Sequence, residues 1–408
     1  MNQLVKTQPE LTELSIPRRL GELVFLFLKL GAISFGGPAA HIALIEAEIV
    51  RKRQWVTRQQ FLDMLGAANL IPGPTSTEMA INVGFIRAGW TGLCVAGVSF
   101  ILPAALITGA FAWAYVRFGS LPQATSVLTG IKPAVVAVIA IAIWRLGKTA
   151  VKDAGLGVLA VLSLVVFLLG LNPILILLAG GVLGMALRQS AKSMVAGAAL
   201  MPIIRAGPSV QQGWRIMSAS ASAVSVVGAA IMRPPLWRIA MFFLKVGAVL
   251  YGGGYVLLAF LEQGLVQQHA WLTRQQLLDA IAIGQFTPGP VLSTATFIGY
   301  ILGGVPGAAV ATVGIFLPSF FYVALLAPVL FRLRQSPWVG AFLDSVNVGA
   351  VALMAGVTFR LGAQALRAWQ SWVIAMTSLI VLLGWKVAPA WVVLGGGIAG
   401  LLLATVRG

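Results

Sequence analysis

The chain writes one sentence twice, WVTRQQFLDMLGAANLIPGPT at residues 55–75 and WLTRQQLLDAIAIGQFTPGPV at residues 271–291, and its fold follows from how that sentence is read. Trp55 and Trp271 stand 216 residues apart (271 − 55). The same shift carries Phe27-Leu28-Lys29 onto Phe243-Leu244-Lys245, Gly31-Ala32 onto Gly247-Ala248, Gly36-Gly37 onto Gly252-Gly253, and Glu46 onto Glu262. After a one-residue slip, Leu102-Pro103 falls on Leu317-Pro318. The chain is a duplication in which most of each half takes part. Its organisation reads as a polar tail at 1–19, a first repeat at 20–188, a basic linker at 189–235 and a second repeat at 236–408.

The solvent is set by composition. Of 408 residues 59% are hydrophobic and 10% charged, and the mean hydropathy is +0.94. Soluble domains carry about 25% charged residues, so this is a polytopic membrane protein. Charge-free windows at Leu93–Val116, Leu156–Leu171, Pro173–Leu187, Val305–Phe331 and Val387–Val406 cross or nearly cross about 30 Å of hydrocarbon, the shorter ones by tilting. The apolar/polar alternation of a β-barrel is absent, which leaves an all-α fold. The formal charge of +17 reads as basic residues held on the cytoplasmic side near anionic lipid, not as a nucleic-acid surface. One cysteine and two histidines exclude a disulfide scaffold and a Cys/His metal cluster. No small-residue cleavage site follows the first apolar run, so no removable signal peptide is expected.

Internal repeats in membrane proteins are typical of secondary transporters. The basic stretch Arg51-Lys52-Arg53 has the charge-poor counterpart Gln267-Gln268-His269. Equivalent loops of opposite basicity belong on opposite faces, which predicts inverted repeats. Arg18 and Arg19, ahead of the first helix, resist this, since they should also prefer the inside. The linker, with Lys192, Arg205, Arg215 and Arg233, reads as cytoplasmic, with Ile216–Met232 apolar enough to dip into the bilayer.

Proline disfavours helix at the residue before it and glycine tolerates angles that others avoid, so Pro72-Gly73-Pro74 and Pro288-Gly289-Pro290 are predicted helix breaks. A break at membrane depth survives only inside protein or along a wet cavity. The helix that restarts offers free amides and a positive dipole end, a seat for an anion. Asn69, Thr75, Ser76 and Thr77 in one copy, and Gln285, Ser293 and Thr294 in the other, add neutral donors. Two such seats facing each other would hold a tetrahedral oxyanion without a fixed counter-charge. A tight turn between two spans is the plainer alternative.

Thr75-x-x-Glu78 has capping-box spacing, which assigns Glu78 to a cap and not to proton carriage. The glycine pairs Gly36-Gly37 and Gly252-Gly253 allow close approach of a backbone or a ligand. Lys29 and Lys245, inside apolar runs, need a partner or a wet path. They suit attraction of an anion, or else snorkel or pair, Lys29 with Glu22. Glu46 and Glu262 are candidates for proton coupling. Asp63 and Asp279 are expected to neutralise Arg58 and Arg274, and Asp344 to pair with Lys132. No Gly-x-Ser-x-Gly elbow, Walker sequence or di-metal pattern is present, which argues against an enzyme, and no cofactor is implied.

The combination FGGP, W-x-T-x-x-x-F-L-D and PGPT in the first half, echoed by YGGG, W-x-T-x-x-x-L-L-D and PGPV in the second, resembles the chromate transporter (CHR) family of the long-chain, two-domain type. The resemblance spans nearly the whole chain. It implies export of chromate from the cytoplasm across the inner membrane, conferring chromate resistance, with sulfate competing through its equal shape and charge. Uptake of sulfate or another oxyanion is the alternative. The lipid bilayer and the oxyanion are the implied partners, nucleic acid is not, and a homodimer is compatible. Gly254 for Pro38, and Val291-Leu292 for Thr75-Ser76, make the half-sites unequal.

Overall fold

The computed structural model describes residues 15–407 except 36, 70, 120, 191–233, 252–255, 327–336 and 386. The linker cations named above, and Gly36, Gly252 and Gly253, lie outside the described residues. Within them the protein is all-α, with seven helices on each side of the linker. The first seven are α1 (Ile16–Ile33), α2 (Pro38–Glu46, continued by a wider-wound turn Ala47–Lys52), α3 (Arg58–Ala68), α4 (Thr75–Phe118), α5 (Pro122–Ala150), α6 (Ala154–Leu168) and α7 (Pro173–Ser190). Their counterparts are α8 (Leu236–Val249), α9 (Leu257–Leu261, continued by Glu262–Gln268), α10 (Arg274–Phe286), α11 (Thr294–Leu326), α12 (Pro337–Ala365), α13 (Trp369–Gly384) and α14 (Pro389–Arg407).

The duplication is carried into backbone detail. Thr57 accepts from the Gln60 amide at 3.2 Å while the Gln60 side chain accepts from the Thr57 amide at 2.8 Å. Thr273 and Gln276 repeat this at 3.1 and 2.9 Å, so Thr-Arg-Gln-Gln is a capping box that starts α3 and α10. Gln54 and Ala270 both sit at positive φ, 51° and 50°. Both long helices also bend sharply at matched places. In α4 the bend is at Ala88-Gly89, in α11 at Gly303-Gly304, and the second residue of each pair, a glycine, has φ of 62° or 63°. Each long helix therefore has a short first leg, 75–87 or 294–302, and a longer second leg.

Four helices among the described residues, α4, α5, α11 and α12, are long and apolar enough to cross a membrane, and α6, α7, α13 and α14 are shorter apolar helices. The charge-free windows fall in α4, α6, α7, α11 and α14. They miss α5 and α12, which carry charged residues that the fold neutralises. Lys132 of α5 lies 3.0 Å from Asp279 of α10, and Asp344 of α12 lies 2.7 Å from Lys152. The expected Asp344–Lys132 pair is thus wrong: each charge finds a nearer partner across the repeat boundary. Trp113, Trp369, Trp372 and Trp391 are exposed along with many leucines and valines, an outer surface suited to lipid and not to water.

The two repeats interlock. α1 packs along α4 and α8 along α11, α4 packs on α11, α5 on α13 and α14, and α12 on α6 and α7. Leu93, near the start of the second leg of α4, shares a buried cluster with Val323, near the end of α11, and a methyl at Gly97 would strike the ring of Phe320. Where α5 crosses α14, a methyl at Gly130 or Gly400 would strike the backbone of the other helix. Small residues there let the helices pack closely without a hydrophobic drive between them.

Candidate functional site

Helix α3 stops at Ala68 and α4 starts at Thr75; α10 stops at Phe286 and the chain turns helical again at Val291. Between them Pro72, Gly73 and Pro74, and Pro288, Gly289 and Pro290, are all buried. Each turn bonds to the opposite repeat. The Gly73 amide donates to the Leu250 carbonyl at 2.7 Å, and the Gly289 amide donates to the Ser34 carbonyl at 2.8 Å. Ser34 and Leu250 are equivalent positions, the C-caps of α1 and α8. Gly73 has φ of 142° and Gly289 of 88°, and a β-carbon on Gly289 would lie 2.7 Å from that of Ala104 and 2.9 Å from the Gly31 carbonyl oxygen.

Polar groups collect at these two contacts. Ser76 and Thr77 are buried, as are Ser293 and Thr294. The amides of Thr77 and Glu78 donate to the Pro74 carbonyl at 2.8 and 3.1 Å, which leaves those of Thr75 and Ser76 at the open start of α4. His41 Nδ1 lies 3.3 Å from Ser76 Oγ. On the second turn, Thr108 donates to Ser293 at 3.2 Å, Thr294 donates to the Val291 carbonyl at 2.8 Å, and Thr296 and Thr312 share a 2.7 Å hydrogen bond. Several buried atoms of this layer have no hydrogen-bond partner: Ser34 Oγ, His41 Nε2, Thr77 Oγ1, both oxygens of Glu78 and Ser319 Oγ. Buried polar atoms are nearly always paired, and these unpaired ones belong to both repeats.

Not all the expected residues gather there. Asn69 is exposed and accepts from the Thr75 hydroxyl at 3.4 Å. Gln285 is partly buried in the last turn of α10, and Gly37 starts α2 with φ of 82°. Lys29 donates to Glu48 at 3.1 Å and not to Glu22, which instead accepts from Arg87 at 2.9 Å. Lys245 is exposed on α8. Glu46 lies 3.8 Å from Arg51. Glu262, its sequence equivalent, is fully buried, accepts from Gln267 at 2.9 Å and lies 3.7 Å from Arg274 and 3.6 Å from Arg360. In the first repeat the acid that gathers cations is Glu48, within 3.1 Å of Lys29, 3.0 Å of Lys52 and 3.7 Å of Arg53.

Two further expectations are corrected. Asp279 does not neutralise Arg274; besides Lys132 it accepts from the Tyr115 hydroxyl at 2.9 Å, and Arg274 turns to Glu262. Asp63 accepts from Gln59 at 3.2 Å. Glu78 is no cap: the N-cap of α4 is Pro74, with no side-chain capping bond. Sequence reading also passed over His41, Thr108, Tyr115 and Ser319. None stands in a repeated motif, and only the fold brings them together. No cluster of potential metal ligands occurs among the described residues.

No solved structure matches the chain. It is 33% identical over 386 residues to a chromate transport protein of Cupriavidus metallidurans, covering 94% of this chain and 93% of that one. It is 30% identical over 395 residues to a probable chromate transport protein of Synechococcus elongatus, covering 94% and 95%. A chromate transport protein of Pseudomonas aeruginosa is 28% identical over 406 residues, covering 96% and 94%. The family model described as chromate transporter matches twice, at residues 21–185 and 237–401. Two copies of one domain, each holding one buried Pro-Gly-Pro turn, place this multi-pass membrane protein in the chromate transporter family, whose members move ions and are not enzymes.

Proposed function

We propose that the protein exports chromate from the cytoplasm across the plasma membrane, with the dianion held between two helix breaks at Pro72-Gly73-Pro74 and Pro288-Gly289-Pro290 in two inverted repeats. The carrying observation is the reciprocal pair of bonds, Gly73 to Leu250 and Gly289 to Ser34. Each break is anchored on the other repeat, so the helix starts of both face one shared, polar, buried layer. Neutral amides and hydroxyls there match the oxygens of a tetrahedral anion, and sulfate, of equal shape and charge, competes.

Inversion is supported by equivalent helices running in opposite senses, since Leu93 early in one long leg meets Val323 late in its counterpart. It is supported again by charge. Arg53 and Arg87 both lie over the Trp55 ring, at 5.1 and 4.7 Å, and Arg87 pairs with Glu22 near the start of α1. The start of α1 and the basic loop at 51–53 thus share one face. In this reading α1 and α2 form a hairpin that enters and returns, so Arg18 and Arg19 no longer oppose inversion; they join Arg51, Lys52 and Arg53 on the cytoplasmic side.

An inside-negative potential drives export. It contributes about 2.3 kcal/mol per charge per 100 mV, hence about twice that for a dianion. The test is chromate flux into everted vesicles, with and without excess sulfate, for the parent and for variants with each Pro-Gly-Pro replaced by Ala-Ala-Ala. Loss of flux in both variants, and sulfate inhibition of the parent, are expected. Undiminished flux in both variants would remove the site from the turns, and flux only in right-side-out vesicles would reverse the direction.

A further inference from the structure

We infer that Glu78 is the proton-binding group of the transport site: the dianion occupies its seat with Glu78 protonated and is shut out when Glu78 is ionised. The inference rests on the proposed seat at the start of α4. Glu78 lies in the first turn of that helix, three residues beyond Thr75, and is fully buried. Neither of its oxygens has a hydrogen-bond partner, and no Lys or Arg among the described residues forms an ion pair with it. It is a carboxyl group left bare at the meeting of the two repeats.

Its surroundings are polar but uncharged. A β-carbon on Gly73 would touch both Glu78 Oε1 and Ser319 Oγ, so the acid, the first break and α11 converge on one point. Tyr251, just past the end of α8, is the titratable side chain next to Leu250, whose carbonyl accepts from the Gly73 amide. Tyr322 of α11 donates its hydroxyl proton to the Ala248 carbonyl at 3.0 Å. On the α2 side the titratable group is His41, bonded to Ser76 two residues before Glu78. None of these supplies a fixed positive charge.

A dianion at the free amides of Thr75 and Ser76 would stand within one helical turn of this carboxylate. Two like charges at that separation, away from water, repel strongly, so one must be neutralised and a proton is what the site can take. Binding of the anion and of the proton are then linked, each raising the affinity for the other. The second break has Thr294 where the first has Glu78, and no acid in the first turn of α11. The linkage therefore amounts to one proton per anion and not two.

The test uses the full chain in detergent, weakly buffered with a pH-indicating dye between pH 6 and 9. Chromate is the ligand, and the E78Q protein is the blank for chromate's own protonation. The parent is expected to take up as much as one proton per chromate bound, equally in sodium and in choline media, with affinity falling by about tenfold per pH unit on the alkaline limb. E78Q is expected to bind chromate, take up none and lose this pH dependence. Chromate binding by the parent without proton uptake anywhere in the range overturns the inference and leaves the transport reading standing. So does an E78Q profile that superimposes on the parent's, or proton uptake replaced by a sodium requirement. A parent that binds no chromate overturns both. If E78Q does not fold, the parent's proton count decides alone.

Discussion

At the scale of single residues, Gly73 and Gly289 show how the same motif is held by different neighbours. Both need positive φ, where a side chain costs about 1–2 kcal/mol. A methyl at Gly289 also meets backbone, at the Gly31 carbonyl, and the β-carbon of Ala104, neither of which can swing away. A methyl at Gly73 meets the ends of the Glu78 and Ser319 side chains, which can move. Gly289→Ala is therefore expected to lower the thermal midpoint more than Gly73→Ala. Gly73→Ala, by displacing Glu78, is expected to depress chromate flux more than its stability loss explains. Thermal unfolding and vesicle flux of the two variants check the order; equal midpoints would contradict it.

At the scale of elements, the long helices are joined across the repeat boundary by buried polar contacts that have no copy in the other half. Lys132 of α5, Tyr115 of α4 and Asp279 of α10 come together, with Asp279 and Lys132 both buried. Removing one partner of such a pair leaves an uncompensated charge and costs about 3–5 kcal/mol, while replacing both by apolar groups is often near neutral. Lys132→Met and Asp279→Leu are each expected to destabilise strongly, and the double variant less than either. A double variant whose loss equals the sum of the singles would show that the two do not act as a pair. Asp63, the sequence equivalent of Asp279, accepts from Gln59 on its own helix.

At the scale of the whole molecule, the interlocking of α5 with α13 and α14, and of α12 with α6 and α7, makes the two repeats one body. Inversion predicts that cysteines placed at Lys52 and Gln268, in a Cys94→Ser background, react with a membrane-impermeant reagent from opposite faces. Reaction of both from the same face would refute it. Transport of one dianion with one proton moves a single net negative charge, so a potential of 100 mV would supply about 2.3 kcal/mol where a bare dianion gains about twice that. Current measured in proteoliposomes at known chromate flux gives the ratio directly, with one charge per chromate expected for the parent and two for E78Q.

The duplication, the membrane as solvent and the helical class were legible in the sequence because each rests on local chemistry: composition and a 216-residue register. The charged helices α5 and α12 were not, because a window without charges cannot see a lysine whose partner lies 147 residues further along (279 − 132). Nor could spacing along the chain say that Glu78 is bare while Glu262 is paired, since Thr75-x-x-Glu78 looks like a cap until the fold gives its N-cap as Pro74. Which Pro-Gly-Pro segment leans on which repeat was likewise decided in three dimensions, by the Gly73 and Gly289 amides bonding to carbonyls in the opposite half. Local sequence dictates where a helix must stop. What the stopped ends then face depends on packing between distant segments, and that only the tertiary structure decides.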